Sequence, residues 1–277
     1  MPPQPTLQLW QLLLPSGEVA TLPLPGSVEG EKYTLGRKDC HVTLPDKAVS
    51  KKHATLQLTG MQQQLQLLLV DEGSRFGTTV NGQRLSEGVA RELTDGDEVG
   101  VGTSVFRVRR LVLGFCTSGF RPSDNDEIAD ACKRLGVRPT REWTNATTHL
   151  LMPSIKMTPK LVLALAHACP IVSPAWLRLC AARSVVMSAL PDEKAAEVTP
   201  PMEKYAANME LPADVHHAKP ERKALFAGRR FAWLPGVPAS SPPPRETTKL
   251  LKLMGALSVV PWEEPGGGGG GGGGGEG

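Results

Sequence analysis

The sequence has few aromatic residues, few cysteines and no long apolar run, and each shortage excludes a class of protein. Aromatic side chains make up 5 % of the 277 residues, and five residues are cysteine. These cysteines are odd in number and form no Cys-x-x-Cys pair, which argues against a disulfide framework and against a zinc site. We therefore expect reduced thiols, no bound metal and no cofactor.

Charge and hydropathy exclude two further kinds of partner. The formal net charge is only +3, so a general nucleic-acid-binding surface is not expected and any DNA contact should be indirect. No segment reaches the roughly 18 apolar residues of a membrane span. The N-terminus has no basic segment before its short apolar stretch, as a secretory signal would. We expect no direct contact with a membrane.

Residues 7–110 show the pattern of an all-β sandwich. Short apolar segments alternate with turn signals such as Gly60, Gly73 and Asp95-Gly96, at the spacing typical of a sandwich. Asn81-Gly82 predicts a type I′ hairpin, because both central residues of that turn need positive φ. The predicted strands are Leu7–Leu14, Lys32–Leu35, Ala54–Leu58, Leu65–Val70, Thr78–Val80, Glu98–Val101 and Phe106–Val112.

From residue 111 onward strands alternate with helices, which predicts α/β units with a parallel sheet. The predicted strands are Leu111–Cys116, Thr148–Met152 and Ile171-Val172, and the predicted helices are Asp124–Leu135, Thr158–Cys169 and Ala175–Ala182. Gly136 is expected to end the first helix as a left-handed cap. Thr158 and Ser173 are expected to cap the second and third helices.

The remaining boundaries follow from composition. Residues 111–185 form the first α/β unit, and the Pro- and Ala-rich stretch 186–221 is predicted to be a linker. A strand, a helix at Glu246–Met254 and a strand at Leu257–Val260 predict a partial or degenerate second unit at 222–265. Residues 266–277 contain a run of glycine that cannot form a core, which indicates a disordered tail. The fold class is therefore multidomain, a β-sandwich followed by α/β units.

A group of polar and basic residues stands at the strand ends of the predicted sandwich. Its members are Gly36, Arg37, Ser50, Lys51, His53, Ser74, Arg75 and Asn81. Loops of a sandwich cluster at its ends, where binding sites form on a rigid scaffold. A guanidinium suits bidentate contact with a phosphate, and a phosphothreonine brings close to two negative charges and three acceptor oxygens. The pattern indicates an anion site.

Gly36-Arg37, then Ser50-x-x-His53, then Asn81-Gly82 resemble the signature of the forkhead-associated (FHA) family. FHA domains read phosphothreonine. The residues that the resemblance assigns to phosphothreonine binding are Arg37, Ser50, Lys51, Ser74, Arg75 and Asn81. Those that it assigns to structural support are Gly36 and His53. The sequence departs from many FHA domains at one place, because Phe76 precedes Gly77-Thr78 where the family often has Asn.

Each motif alone has a simpler interpretation, such as a solvated Arg at a strand start or a capped turn. The three together favour the anion site. No Ser/His/Asp set with an oxyanion site accompanies His53, so we do not expect catalysis there.

Residues 111–185 resemble a BRCT domain. The resemblance rests on the opening strand, the helix closing at Leu135-Gly136, and a last helix with Trp176 four residues before Cys180. Residues at this spacing share a helix face, so Trp176 and Cys180 are expected to pack together in the core.

The BRCT resemblance also implies a second phosphate site. It assigns phosphate contact to Thr117 or Ser118 after the first strand and to Lys160 at the start of the second helix, where the helix N-terminus would favour an anion. An ordinary exposed Ser and Lys are the alternative interpretation.

An FHA module joined directly to BRCT-type units is similar to the FHA–BRCT–BRCT regulatory subunits of double-strand-break repair nuclease complexes. The resemblance implies a non-enzymatic phosphopeptide-binding adaptor, located in the nucleus at double-strand breaks. Its implied partners are phosphorylated mediator proteins, and the Mre-type nuclease and Rad-type ATPase subunits through regions mostly outside this sequence.

Two other functions remain open: another FHA/BRCT checkpoint scaffold, and the accessory region of a DNA end-processing enzyme. The sequence has no P-loop, no D-x-D phosphatase signature and no lysine-nucleophile motif, which argues against the enzyme.

Overall fold

The computed structural model describes residues 6–27, 30–60, 65–203, 212–234 and 244–261. The first domain is built from two β-sheets packed face to face, as predicted. Its strands are β1 Leu7–Leu13, β2 Val19–Leu22, β3 Lys32–Gly36, β4 Val42–Thr43, β5 Ala54–Thr59, β6 Gln66–Asp71, β7 Thr78–Val80, β8 Gln83–Arg84, β9 Arg91–Leu93, β10 Glu98–Val101 and β11 Ser104–Leu113. One sheet has the order β2-β1-β11-β10-β7-β8 and the other β4-β3-β5-β6-β9.

The strand β1 is buried on both faces, whereas its partner β11 is buried only at some positions. They pair antiparallel from Leu7↔Leu113 onward, and successive side chains of a strand point to opposite faces. Trp10 and Leu12 belong to the core of the sandwich. Leu7, Leu9 and Leu113 belong instead to the core of the following α/β unit. The two domains are therefore packed together along these strands.

The α/β unit consists of β12 Phe115–Thr117, α1 Pro122–Leu135, β13 His149–Leu151, α2 Pro159–His167, β14 Ile171–Val172 and α3 Pro174–Ala181. Its three strands form a parallel sheet in the order β12-β13-β14. Phe115 and Leu151 face a core with α1 and α3, whereas Cys116 and Leu150 face a core with α2. Trp176 and Cys180 lie in the first of these cores, which confirms that they pack there.

Two helix ends agree with the sequence and one does not. Gly136 adopts the left-handed conformation after α1, and the Thr158 hydroxyl accepts the Leu161 N–H at 3.1 Å at the start of α2. The expectation that the Ser173 hydroxyl caps α3 is wrong, because its side chain makes no capping bond. Pro174 at the first turn, which needs no N–H partner, starts this helix.

The predicted strand Leu111–Cys116 is also incorrect as a single element. It is divided between β11, which ends at Leu113 in the sandwich, and β12, which starts at Phe115 in the parallel sheet. Gly114 lies at the division, and a Cβ there would stand 2.0 Å from the Ala146 carbonyl oxygen. A side chain would prevent this close approach of two backbones.

The stretch 186–221 is not the loose linker that its composition suggests, since its described residues enter all three cores. Val186 lies in the sandwich core, and its carbonyl accepts the Thr21 N–H at 2.8 Å. Val198 and Val215 lie in the two cores of the α/β unit. Widely spaced valines have no periodicity, so sequence patterns do not reveal this packing.

The described residues of the C-terminal part contain fewer strands and helices than the first α/β unit. They are β15 Arg230–Trp233, α4 Pro244–Leu253 and β16 Ser258–Pro261, preceded by a 3-10 helix at Pro220–Ala224. The strands β15 and β16 pair in parallel, and the predicted helix and second strand are confirmed. The predicted tail, 266–277, lies outside the described residues. No described helix is long and apolar enough to cross a membrane.

Candidate functional site

The predicted anion site lies on the loops that follow β3, precede β5 and follow β6. The Arg37 N–H donates to the Ser50 carbonyl at 2.9 Å, which joins the first two loops. This contact depends on Gly36, because a Cβ there would stand 2.1 Å from the Lys51 carbonyl oxygen. The sequence therefore brings the backbone of Arg37 against Ser50 and Lys51, an approach that only glycine at position 36 permits.

His53 connects the second and third loops from beneath. Its side chain is 0 % exposed. The Nδ1 atom accepts the Ser50 N–H at 3.1 Å, and Nε2 lies 3.2 Å from the Gly77 carbonyl. An imidazole that accepts at one nitrogen and donates at the other is neutral. His53 thus holds Ser50 in place and is not presented to solvent as a base.

Ser50 is the residue at which all three loops meet. Its hydroxyl oxygen accepts the Arg75 N–H at 3.2 Å, and the hydroxyl proton has no acceptor among the described residues. The Arg75 guanidinium packs over the Phe76 ring at 5.3 Å, and Phe76 is 52 % exposed. The two joined loops thus present the hydroxyl donor of Ser50, the cation of Arg75 and the apolar ring of Phe76.

Three exposed cations lie on the loops that Ser50 joins. Arg37, Lys51 and Arg75 all lie on the surface. None of them forms an ion pair with a carboxylate in the described part of the chain. Unpaired cations grouped around a free donor suit a group with more than one negative charge.

Ser74 has a different role from the one that the resemblance implies. Its hydroxyl donates to the buried carboxylate of Asp71 at 2.7 Å, and the same carboxylate accepts the Thr78 hydroxyl at 2.5 Å. The Ser74 proton is therefore used within the loop. Asp71, which sequence reasoning missed, is the anchor of this loop. An Asp that ends a strand two residues before a Gly is the one signal that could have revealed it.

Acidification tests the Asp71 anchor. Burial raises the pKa of Asp71, but hydrogen bonds from Thr78 and Ser74 outweigh it and leave the pKa below 3.8. A lowered folded pKa gives stability that is present above the unfolded value, about 3.9, and is lost as pH falls through the folded value. We expect Asp71→Asn to cost about 1–3 kcal/mol in the free energy of unfolding at pH 7, and this gap from the wild type to narrow as the pH falls from about 5 through the lowered folded pKa.

Urea denaturation across that pH range measures the gap. Asp126→Asn, on the exposed side of α1, is the control and should leave the denaturation curves unchanged at every pH. A gap for Asp71→Asn that stays constant down to about pH 2 would show that the carboxylate charge does not anchor the loop.

Asp46 anchors the loop that carries Ser50 from its other end. Its carboxylate accepts the Thr103 hydroxyl at 2.6 Å and the Ala48 N–H at 2.8 Å. The Thr103 hydrogen bond, helped by Ala48, lowers the pKa of Asp46 to about 2. The turn between β10 and β11 thereby supports the binding loop, a long-range contact that no local pattern indicates.

Asn81 is held firmly at the β7–β8 hairpin. It has φ of 50°, and Gly82 has φ of 78°, as the predicted type I′ turn requires. Its amide donates to Asp97 at 2.8 Å and accepts the Glu98 N–H at 2.9 Å. One amide hydrogen remains for a ligand, so the peptide-holding role of Asn81 stays a prediction.

The predicted BRCT phosphate residues come together, but their donors are largely used inside the chain. The Lys160 ammonium donates to the carbonyls of Thr117 at 2.7 Å and Arg141 at 2.6 Å. Ser118 is 4 % exposed, and its hydroxyl pairs with that of Thr158 at 2.9 Å. The Thr117 hydroxyl donates to the Thr140 carbonyl at 3.2 Å. This corner is closed in the structure.

Comparison with known families identifies both modules. The FHA domain family model matches residues 33–102, and the BRCT (BRCA1 C Terminus) family model matches residues 111–181. Nibrin of Danio rerio is 32 % identical over 209 residues, which is 74 % of this chain and 24 % of the relative. Nibrin of Gallus gallus is 31 % identical over 241 residues, which is 82 % of this chain and 30 % of the relative. The chain spans less than a third of these relatives.

Solved structures share the fold of the chain over most of its length. The S. pombe Nbs1–Ctp1 complex contains a chain with a TM-score of 0.53 and 18 % identity, covering 92 % of this chain and 80 % of that one. The FHA-BRCT1-BRCT2 domains of S. pombe Nbs1 match with a TM-score of 0.51 and 18 % identity, covering 92 % of this chain and 82 % of that one. Similarity at this identity establishes the order FHA then BRCT as the architecture.

Proposed function

Because the chain belongs to the nibrin family of FHA–BRCT proteins, we propose that it is a phosphopeptide-binding adaptor whose FHA loops hold a phosphothreonine. The observation that carries the proposal is the free Ser50 hydroxyl on loops that also carry the exposed, unpaired cations Arg37, Lys51 and Arg75. Such a set offers a charge-assisted donor to each phosphate oxygen. Three loops that are fixed by Gly36 and His53 make the site rigid before the ligand arrives, which lowers the cost of binding.

The family indicates the setting in which this adaptor works. We place the chain in the nucleus at double-strand breaks, within a nibrin-type repair complex that has Mre-type nuclease and Rad-type ATPase subunits. S. pombe Nbs1 forms a complex with Ctp1, and phosphorylated proteins of comparable role are the ligands we propose for this FHA site. The chain itself has no catalytic function in this proposal. It contributes recognition, and contacts with the nuclease and ATPase use other parts of the full protein.

The direct junction between the two modules favours this function over another checkpoint scaffold. Leu113 and Phe115 lie in the same core on either side of Gly114, so the FHA and BRCT modules have no free tether. A scaffold that displays independent domains would need one.

The BRCT corner is a secondary site in this proposal. An ammonium has three hydrogens, and Lys160 uses two of them on the carbonyls of Thr117 and Arg141. A phosphate can take the third, but Ser118 must first leave Thr158 to contribute. The phosphothreonine activity therefore rests on the FHA loops.

A pair of matched peptide pools tests the FHA proposal. We expect a fluorescent phosphothreonine pool with degenerate flanks to bind the full chain at micromolar affinity, and the unphosphorylated pool not to bind. Arg37→Gln should weaken binding at least about tenfold, because it removes a charged bidentate donor. Fluorescence polarisation measures both effects.

Arg107→Gln is the matched control for this experiment. Arg107 is exposed on the same domain and faces Glu98 at 3.7 Å on the outer side of the sheet, so its loss should leave the affinity unchanged. Equal binding of the two pools, or full affinity in Arg37→Gln, would overturn the proposed function.

A further inference from the structure

The hairpin strand β8 brings one more arginine to the FHA loops. Arg84 pairs with Thr79 across the hairpin. Its guanidinium covers the backbone of Gly77, since a Cβ on that glycine would meet three of the guanidinium atoms at 2.5–2.8 Å. Gly77 has φ of 79° and its carbonyl faces His53. Arg84 thus lies against the same loop that delivers the Arg75 N–H to Ser50.

Arg84 differs from the other arginines of its sheet in having no polar partner. Arg107 faces Glu98 at 3.7 Å. Arg109 donates to Gln11, and Arg110 donates to Gln8. The Arg84 side chain, although exposed, makes neither a hydrogen bond nor an ion pair with any residue of the described ranges. Its five N–H donors lie over Gly77 and have no acceptor within the part of the chain that the structure describes.

The links between the loops limit how far this guanidinium is from the phosphate position. Ser50 bonds the Arg75 N–H at 3.2 Å, Gly77 follows two residues later, and the guanidinium lies on Gly77. The Arg84 guanidinium is therefore no more than about 16 Å from the Ser50 hydroxyl, the span of about four to five extended residues. A peptide held at Ser50 can reach it with a neighbouring side chain.

We propose that Arg84 binds a second anionic side chain of the phosphopeptide, located within about four residues of the phosphothreonine. The inference rests on the proposed function and adds a determinant of ligand selectivity to it. The required chemistry is a group of two or three oxygens that matches the fork of the guanidinium, which a carboxylate and a second phosphate both supply. Arg37, Lys51 and Arg75 are the cations proposed for the first phosphate, and Arg84 lies against the same loop as Arg75.

Two scans of one phosphothreonine peptide with otherwise neutral flanks test this. In one scan, Asp replaces each of the four positions on either side of the phosphothreonine in turn. In the other scan, phosphoserine replaces the same positions in turn. For the wild-type chain we expect one position, or two adjacent ones, at which an acidic residue strengthens binding about three- to tenfold. A gain with phosphoserine alone identifies a phosphate reader, and a gain with both identifies a general anion reader.

Arg84→Gln should remove that gain and leave the affinity for the neutral-flank phosphothreonine peptide within about twofold. Arg84→Glu should make the acidic residue unfavourable at the same position, because like charges then meet. Arg107→Gln, on the outer face of the same sheet, should keep the gain.

The possible failures are distinguishable. If no phosphothreonine peptide binds the wild-type chain, the proposed function fails. If phosphothreonine binds but no flanking position shows a gain, or Arg84→Gln retains the gain in full, the role of Arg84 is overturned while the phosphothreonine site stands. An equal loss of affinity for acidic and neutral peptides in Arg84→Gln would also overturn it, and would make Arg84 a support of the loop.

Discussion

Replacing Gly36 by alanine is expected to abolish measurable phosphothreonine binding. The new Cβ would stand 2.1 Å from the Lys51 carbonyl oxygen and 2.9 Å from the Cys40 sulfur. The first contact is with backbone, so the segment carrying Ser50 and Lys51 must move. The Arg37 N–H then loses the Ser50 carbonyl that it now holds at 2.9 Å. We expect a loss of about 3 kcal/mol in the free energy of unfolding.

The control for this variant is Gly17→Ala, in the turn between β1 and β2. Gly17 has φ of 85° and nothing within 4 Å of its Cβ position, so alanine there costs only backbone strain, about 1–2 kcal/mol. Its affinity for the phosphothreonine pool should equal that of the wild type. Urea denaturation and fluorescence polarisation separate the two effects. A folded Gly36→Ala variant with wild-type affinity would show that the loop contact does not define the site.

The motif around Gly36 was predictable because its chemistry is local. Glycine before Arg37 and histidine three residues after Ser50 each stand at a predicted strand end, and the resemblance to the FHA family assigns them to one site. The β-sandwich was predictable for the same reason, since alternation and turn residues repeat along the chain.

Sequence reasoning assigned the Ser74 hydroxyl to the ligand, and it missed Asp46, whose partner is distant in sequence. Ser74 looked like a phosphate donor, yet its proton goes to Asp71, which is buried by the fold around it. Asp46 supports the loop of Ser50 through Thr103, 57 positions away. A carboxylate whose partners lie in another strand pair has no local signature.

The sequence patterns also did not predict how much core the two modules share. Apolar residues on both faces of β1 suggest a strand buried on both sides, but only the structure shows that Leu7 and Leu9 face the BRCT core and Trp10 the FHA core. The valines of 186–221 also join the modules, because they lie in the cores of both. The described part of this Pro- and Ala-rich stretch is held in place because three separate side chains are buried, each in a core built by other elements.

The shared core leads to the largest stability effect expected in this chain, that of Trp176→Ala. Trp176 is 1 % exposed. Its ring stacks on His149 at 4.9 Å and contacts Phe115 at 5.9 Å, and its indole N–H donates to the Pro191 carbonyl at 3.1 Å. Removing the ring leaves a cavity and an unpaired carbonyl. We expect a loss of about 3–5 kcal/mol, measured by urea denaturation followed by circular dichroism.

Because Leu7 and Leu9 of the FHA strand β1 lie in the core that Trp176 fills, the loss should extend to the FHA site. At low urea, Trp176→Ala should bind the phosphothreonine pool with wild-type affinity, since no loop contact is touched. The urea concentration at which binding is lost should fall together with the circular dichroism midpoint.

Trp233→Ala is the control for this prediction. Trp233 is half-buried in the C-terminal unit, and its indole N–H donates to the Thr248 hydroxyl at 3.1 Å. Phosphothreonine binding by this variant should therefore persist to the wild-type urea concentration. The contradicting outcome is a Trp176→Ala variant with a lowered circular dichroism midpoint whose phosphothreonine binding persists to the wild-type urea concentration. In that case the two modules unfold independently, and the shared core does not couple them.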